Sequence, residues 1–393
     1  MYIGIVGIGG YGTRYVEIVL DAGEQHGVVF SGAIDPMPET SPYVEELKKR
    51  HIPIYPSLAK FNEQNKADLI VICSPIHYHA EQGTLAMEHG SHVLCEKPLC
   101  ATIQEAQTLL NVRNQTGRTF AVGFQWAYDP AFRRLKADVL AGKLGKPNGL
   151  YSLVLWPRST KYFARPWAGR MKTTDGKWVL DSVANNAAAH FLHAMLHLIG
   201  PEETTSSFPQ ELIAELYRAN EIETFDTIAM RLVTETGVEV GFYASHAVIE
   251  ERGPLFRFEF ERGTVFYNDP LVPESREKLV LKTHSGRIID YGTPSHSSLQ
   301  KLWVVVDSIR NGGAILCPIE SALAHTVCVH GAHTSMPEVV LFPARWVHRD
   351  RELLWVEGLN ETLLSCYQMG MLPSELKVSW ARQGKKVYLS KPQ

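Results

Sequence analysis

Tyr2-Ile3-Gly4-Ile5-Val6-Gly7-Ile8-Gly9-Gly10-Tyr11-Gly12 is the stretch that decides how this 393-residue chain is read. Tyr2 to Val6 is a short apolar run of the kind that forms a buried strand. It passes into G-x-G-x-x-G, and Thr13 to Ala22 then carries a helical pattern. Each glycine has a physical role in such a turn. Gly7 permits the tight strand-to-helix reversal, Gly9 lets the backbone approach a pyrophosphate, and Gly12 lets helix and strand pack closely. The loop N–H groups, from Ile8 through Gly10 and Tyr11, then face two phosphates at a helix start. A second apolar strand, Val28 to Ile34, ends at Asp35, where a carboxylate accepts from adenosine ribose hydroxyls. Asp35 repels a 2′-phosphate, and no Arg or Lys follows it in Pro36-Met37-Pro38-Glu39. The expected cofactor is therefore NAD rather than NADP.

The length allows about two domains at ~150–200 residues each. A net charge of −3 and 21% charged residues give no reason to expect nucleic acid or an acidic membrane as partner. The six cysteines form no C-x-x-C pair, which suits reduced, mostly buried thiols and a cytoplasmic setting. Met1 is followed at once by the strand, so no secretory leader is expected. No apolar run approaches the ~20 residues that span a bilayer.

Strand and helix patterns alternate through the first 124 residues. Ala67 to Cys73 is a continuous apolar run, suited to a parallel sheet covered on both faces. His92 to Cys95 and Phe120 to Phe124 are further strands, and Thr102 with Glu105 forms a capping box before a helix that Gly117 ends. The alternation predicts a doubly wound α/β Rossmann domain over 1–124. Ligands in such sheets lie beyond the carboxyl ends of the strands. That rule gathers Gly7 to Gly12, Asp35, Ser74-Pro75, Glu96-Lys97-Pro98 and Phe124-Gln125 along one edge. A lysine just past a buried strand at that edge is poorly explained by solubility, although a surface loop lysine is the plain alternative. Pro98 restricts Lys97 to extended geometry.

The glycine loop, Ile72-Cys73-Ser74-Pro75 with His79, and above all Cys95-Glu96-Lys97-Pro98-Leu99 resemble the Gfo/Idh/MocA family of nicotinamide-dependent oxidoreductases. The resemblance covers the first domain and much of the second. It implies that Lys97 is catalytic beside the nicotinamide, and that a domain with an open, mainly antiparallel sheet follows. It also implies oligomers.

Residues 125–393 are expected to form that substrate-binding and oligomerisation domain, with 337–393 an extension of unassigned role. Asp129-Pro130 opens a basic amphipathic helix, with Trp126 just before it. A loop rich in aromatics and arginine, with Tyr162, Arg165, Trp167 and Arg170, suits a sugar-sized ligand or, equally, packing on its own domain. A helix is expected from Asn185 to about Ile199. The family carries D-x-x-x-H-x-x-D there; the matching positions are Asn186, His190 and His193, and only the histidine agrees. Spacing of four and three places all three on one helical face. Asp181 is set aside, because nine residues separate it from His190. Metal binding by His190, His193 and His197 lacks further assignable ligands, and none is expected. Strand patterns then run from Thr224 to Tyr267 and at Leu279 to Thr283, with two helices following from Ser298 and Ile319.

The reading favoured is oxidation of a secondary alcohol on a sugar, cyclitol or polyol, with Lys97 and His190 in proton transfer. Asn186, His193, Trp126, Tyr162, Trp167 and Arg170 are candidate substrate contacts. One alternative is a glycosidase, lyase or epimerase that uses NAD transiently. Another is a non-catalytic nucleotide or sugar sensor.

Overall fold

The computed structural model describes residues 1–294 and 299–391. They divide into two compact units, residues 1–128 with 299–322, and residues 129–294 with 323–391. The sequence reading divided the chain once, at 124/125. The contacts instead return a late helical segment to the first unit.

The first unit is a six-stranded parallel sheet in the order β3-β2-β1-β4-β5-β6. Its strands and helices alternate: β1 (Tyr2–Val6), α1 (Gly12–Ala22), β2 (Val29–Ile34), α2 (Val44–Lys49), β3 (Ile54–Tyr55), α3 (Leu58–Gln64), β4 (Leu69–Ile72), α4 (His79–Glu88), β5 (His92–Cys95), α5 (Ile103–Thr116) and β6 (Phe120–Val122). β4 is buried along its whole length, as its unbroken apolar run requires. The capping box of Thr102 and Glu105 is formed, and Gly117 ends α5 in the left-handed conformation. The chain reverses direction across the sheet between β1 and β4, the switch point of such folds. There the turn needs its glycines. Gly7 has φ +79°, and a Cβ on Gly12 would overlap the Gly7 carbonyl oxygen.

The second unit holds α6 (Pro130–Leu140), β7 (Pro147–Leu155), α7 (Ala189–Leu198), β8 (Pro209–Arg218), β9 (Thr227–Thr234), β10 (Glu239–Ser245), β11 (Arg252–Phe260), β12 (Gly263–Tyr267), β13 (Leu279–Thr283) and β14 (Ile288–Gly292). Next in the chain come α8 (Gln300–Asn311), which belongs to the first unit, and α9 (Ile319–Ser335). The expected start of α8 at Ser298 lies outside the described residues. The chain closes with β15 (Val340–Leu341), β16 (Val347–Asp350), β17 (Leu353–Val356), α10 (Leu359–Met369) and β18 (Val387–Tyr388). The main sheet runs β14-β13-β12-β11-β7-β10-β9-β8-β15, with β18 also on β8. It is mostly antiparallel; β7 with β10 and β8 with β15 are parallel.

Alternation along the strands gives this sheet two apolar faces. One packs on α7, where Phe191 meets Phe256 edge-on at 5.9 Å. The other bears Tyr151, Tyr217 and Tyr243, and is covered by Phe342, Leu363, Tyr367, Leu372 and Trp380. The C-terminal stretch thus has a structural role that its sequence did not disclose. The chain's own residues thus lie on this face.

Candidate functional site

In the first unit, strand pairing continues one residue past each strand end. Gly7 N–H donates to Ile34 O (2.8 Å), Cys73 to Val6 O (2.8 Å), Glu96 to Ile72 O (2.8 Å) and Gly123 to Cys95 O (2.7 Å). The residues that follow β1, β4, β5 and β6 are therefore aligned along one edge, as the sequence predicts. Asp35, 9% exposed, accepts from Ile8 N and Met37 N, both at 2.9 Å, one on each carboxylate oxygen. Its carboxylate is thus fixed beside the glycine loop with acceptor capacity left over. The start of α1 has no side-chain cap from Tyr11. A helix start of that kind, next to an oriented carboxylate, fits the phosphates and ribose of a dinucleotide.

Glu96 is buried rather than presented at the edge. Tyr15 donates to its Oε1 (2.7 Å), and Lys301 from α8 pairs with the same oxygen. Lys301, 1% exposed, also donates to Gly123 O (3.0 Å) and lies over the Tyr11 and Tyr15 rings. Burial opposes ionisation of Glu96, but the Lys301 ammonium outweighs it and holds the carboxyl below its ordinary range. The other oxygen, Oε2, accepts from the Lys97 backbone N–H (3.1 Å). Lys97 itself is half-buried, and its peptide bond to Pro98 is cis. Sequence reasoning missed Lys301, and no local signal marks it.

His79 is 1% exposed, with Nδ1 2.8 Å from Pro98 O and Nε2 2.9 Å from Ser74 O. It ties the Ser74-Pro75 loop to the Lys97-Pro98 loop. Both ring nitrogens are thereby engaged by backbone carbonyls. The Ser74 hydroxyl donates to Gln82 Oε1 (2.6 Å). Gln125 is half-buried, and Trp126 is 5% exposed.

In the second unit, α7 begins at Ala189, four residues later than expected. Residues 183–188 are turns, held by Ser182 Oγ accepting from Asn185 N (3.2 Å) and by Asn185 Nδ2 donating to Leu180 O (3.1 Å). Asn186 therefore does not share a helical face with His190. Its Nδ2 donates instead to Asp181 Oδ1 (2.8 Å), and Asp181 Oδ2 accepts from Gly169 N (2.7 Å). Asp181, dismissed on sequence spacing, is a neighbour of the Asn186 side chain. His190 lies in the first turn of α7 and is half-buried.

His193 is 0% exposed and stacks on His197 at 5.4 Å. Burial drives both well below the ordinary imidazole range, helped by Lys136 and by neighbouring histidines. His193 is thus a neutral core side chain, which corrects its assignment as a substrate contact. Arg170 pairs with Glu223 (3.4 Å). Tyr162 and Trp167 are half-buried, and Tyr162 lines a crevice with Phe163, Asp181 and His246. Among the described residues no group of three or more His, Cys, Asp or Glu side chains could hold a metal ion. No helix among them is long and apolar enough to cross a membrane.

Residues 1–124 match the model of an oxidoreductase family with an NAD-binding Rossmann fold, GFO_IDH_MocA. A D-glucoside 3-dehydrogenase of Escherichia coli is 32% identical over 81 residues, 21% of this chain and 23% of the relative. A scyllo-inositol 2-dehydrogenase (NAD(+)) of Bacillus subtilis is 26% identical over 140 residues, 36% and 37% of the two chains. The matched stretches thus span well under half of these relatives' own length. The WlbA dehydrogenase of Bordetella pertussis, solved with NADH and UDP-GlcNAcA, superposes with a TM-score of 0.69 at 18% identity. That superposition covers 86% of this chain and 97% of WlbA, and extends the likeness of fold to both units. The match to an oxidoreductase family with an NAD-binding Rossmann fold is thus one of residues 1–124, and beyond them the likeness to solved structures is one of fold.

Proposed function

We propose that this protein is an NAD-dependent oxidoreductase acting on a secondary alcohol of a sugar, cyclitol or related polyol, with Lys97 and His190 in proton transfer. The observation that carries the reading is Lys97 at the carboxyl end of β5, its backbone fixed by a Glu96 that Tyr15 and Lys301 hold ionised. A bound nicotinamide supplies the hydride acceptor. The chain's own residues do the rest. The glycine loop and Asp35 hold the dinucleotide, and Ser74, Pro75 and Gln125 border it. Lys97 donates a hydrogen bond to the alcohol oxygen and stabilises its charge as the proton leaves. His190 is the proton acceptor, since imidazole exchanges protons near neutral pH. Asn186, oriented by Asp181, binds a substrate hydroxyl. The names of the partial relatives, a glucoside dehydrogenase and an inositol dehydrogenase, support a polyol substrate.

The test has two parts. The affinities of NADH and NADPH are measured by fluorescence titration, and NADH should bind more tightly. NADH formation is then followed with cyclitols, sugars and sugar acids, alongside Lys97→Met. The expected result is turnover on at least one polyol that Lys97→Met abolishes. Tighter NADPH binding would overturn the cofactor assignment. Near-normal turnover by Lys97→Met would overturn the catalytic one.

A further inference from the structure

The segment 156–178 of the second unit carries six cations and one acid, Asp175. Three of the cations have evident neighbours. Lys161 pairs with Glu352 (2.8 Å), Arg170 pairs with Glu223, and Lys172 lies 4.0 Å above the Trp178 ring. Arg158 and Arg165 differ, because neither pairs with a carboxylate among the described residues. Each donates to a nearby backbone carbonyl: Arg158 Nη1 to Pro157 O and Arg165 Nε to Tyr162 O, both 3.1 Å. Arg165 Nη2 is buried without an acceptor among those residues. A guanidinium left in that condition is costly unless something else supplies an acceptor.

Both guanidiniums converge on one ring. Arg158 lies 5.5 Å and Arg165 4.3 Å from the Tyr162 centroid, and each also lies over a tryptophan, Trp156 and Trp167. The Tyr162 ring meets His246 at 5.5 Å. His246 is buried and Nδ1 faces Trp156 O (2.8 Å); burial, with Arg158 and Arg165 adding to it, pushes this imidazole down to about 3. It therefore stays neutral and adds no competing charge. The acid at this crevice, Asp181, is occupied by Gly169 N–H and Asn186.

We propose that Arg158 and Arg165, together with the Tyr162 ring, form a subsite for the anionic group of a polyol ligand, a carboxylate or a phosphate monoester. A planar guanidinium presents two parallel donors to two oxyanion oxygens, and stacking on an aromatic ring leaves it little freedom to lose on binding. Tyr162 and Trp167 offer faces for the C–H side of a sugar. The polyol part of this assignment rests on the oxidoreductase reading above. The anion part stands on the arginines alone.

The experiment is calorimetric titration of the full chain, with D-glucuronate, D-gluconate and glucose 6-phosphate as charged probes. myo-Inositol, D-glucose and inorganic phosphate are the controls. At least one charged polyol should bind roughly tenfold more tightly than its neutral counterpart and than inorganic phosphate. The two arms, sugar acid and sugar phosphate, decide which anion the site takes. Arg158→Gln and Arg165→Gln should each lose about that factor, and Lys161→Gln should not. Arg165→Lys keeps the charge without the fork, should fold normally, and should recover only part of the affinity. Equal affinity for charged and neutral probes would overturn the proposal. So would full affinity in the arginine variants, or no better binding than inorganic phosphate shows. NADH titration of the same samples separates the two readings: a chain that binds NADH but no charged polyol loses this subsite and keeps the proposed function. One that binds the probes but not NADH does the reverse.

Discussion

Lys301 and Glu96 show what a single buried pair does to a site. Taking two charges out of water is costly, and this pair is stable because Tyr15 and the Gly123 carbonyl complete its hydrogen bonds. Removing one member leaves the other charged and buried. Lys301→Met should therefore cost ~3–5 kcal/mol in urea unfolding. The double variant Lys301→Met with Glu96→Gln should recover most of that loss, because no lone charge remains. If the single and double variants lose equally, the pair is not what stabilises this edge. Sequence shows half of the arrangement. Glu96-Lys97-Pro98 is readable where it stands, just past a strand. Lys301 belongs to a helix far along the chain and looks there like any polar helix residue.

At the scale of one element, α7 teaches a related lesson. Its hydrophobic spacing is clear, yet its start is not. Asn and Ser side chains bond to nearby backbone and compete with the first helical turn, so Ser182, Asn185 and Asn186 form a turn and the helix waits for Ala189. That shift moves Asn186 off the helical face of His190 and brings it to Asp181.

The same helix buries His193 and His197 as neutral rings, and this has a pH consequence. Folding depresses both, so the unfolded chain binds protons that the folded chain does not. The stability they permit is complete above the ordinary imidazole value of ~6.5 and falls as pH drops below it. The loss is up to ~1.4 kcal/mol per pH unit for each ring. Urea midpoints measured at pH 7.5, 6 and 5 should decline accordingly. A His193→Gln, His197→Gln variant should show a shallower decline; an unchanged slope would place the acid sensitivity elsewhere.

The whole chain is longer than its two sheets require, and the added length covers a surface. The Trp380 ring meets Tyr217 and Phe342, each at 5.0 Å, and Arg231 on β9 pairs with Glu375 at 2.6 Å. These contacts bind the C-terminal stretch to the sheet face. Trp380→Ala should cost ~3–5 kcal/mol, by analogy with other buried aromatic deletions. A chain ending at Gly358 would expose Tyr151, Tyr217 and Tyr243 together, a contiguous apolar patch. It should self-associate in light scattering at concentrations where the full chain does not. Equal scattering by both chains would show that the cover is dispensable.

The sequence by itself determined residues 1–124 of the first unit almost completely. Its signals are local: a glycine loop between strand and helix, an acid at the end of β2, a capping box, and an E-K-P run after β5. Each is legible because neighbours in sequence make the chemistry. β8 shows the opposite case. Pro209-Gln210-Glu211-Leu212-Ile213-Ala214-Glu215-Leu216-Tyr217-Arg218 is rich in good helix formers, and only pairing with β9, β15 and β18 makes it a strand. Tertiary structure alone decided that Lys301 neutralises Glu96, that Asp181 holds Asn186, that Arg158 and Arg165 share one ring, and that residues between Phe342 and Trp380 cover a sheet. These are contacts between distant segments, and a burial or a charge pair made across such distances leaves no spacing pattern in the chain to read.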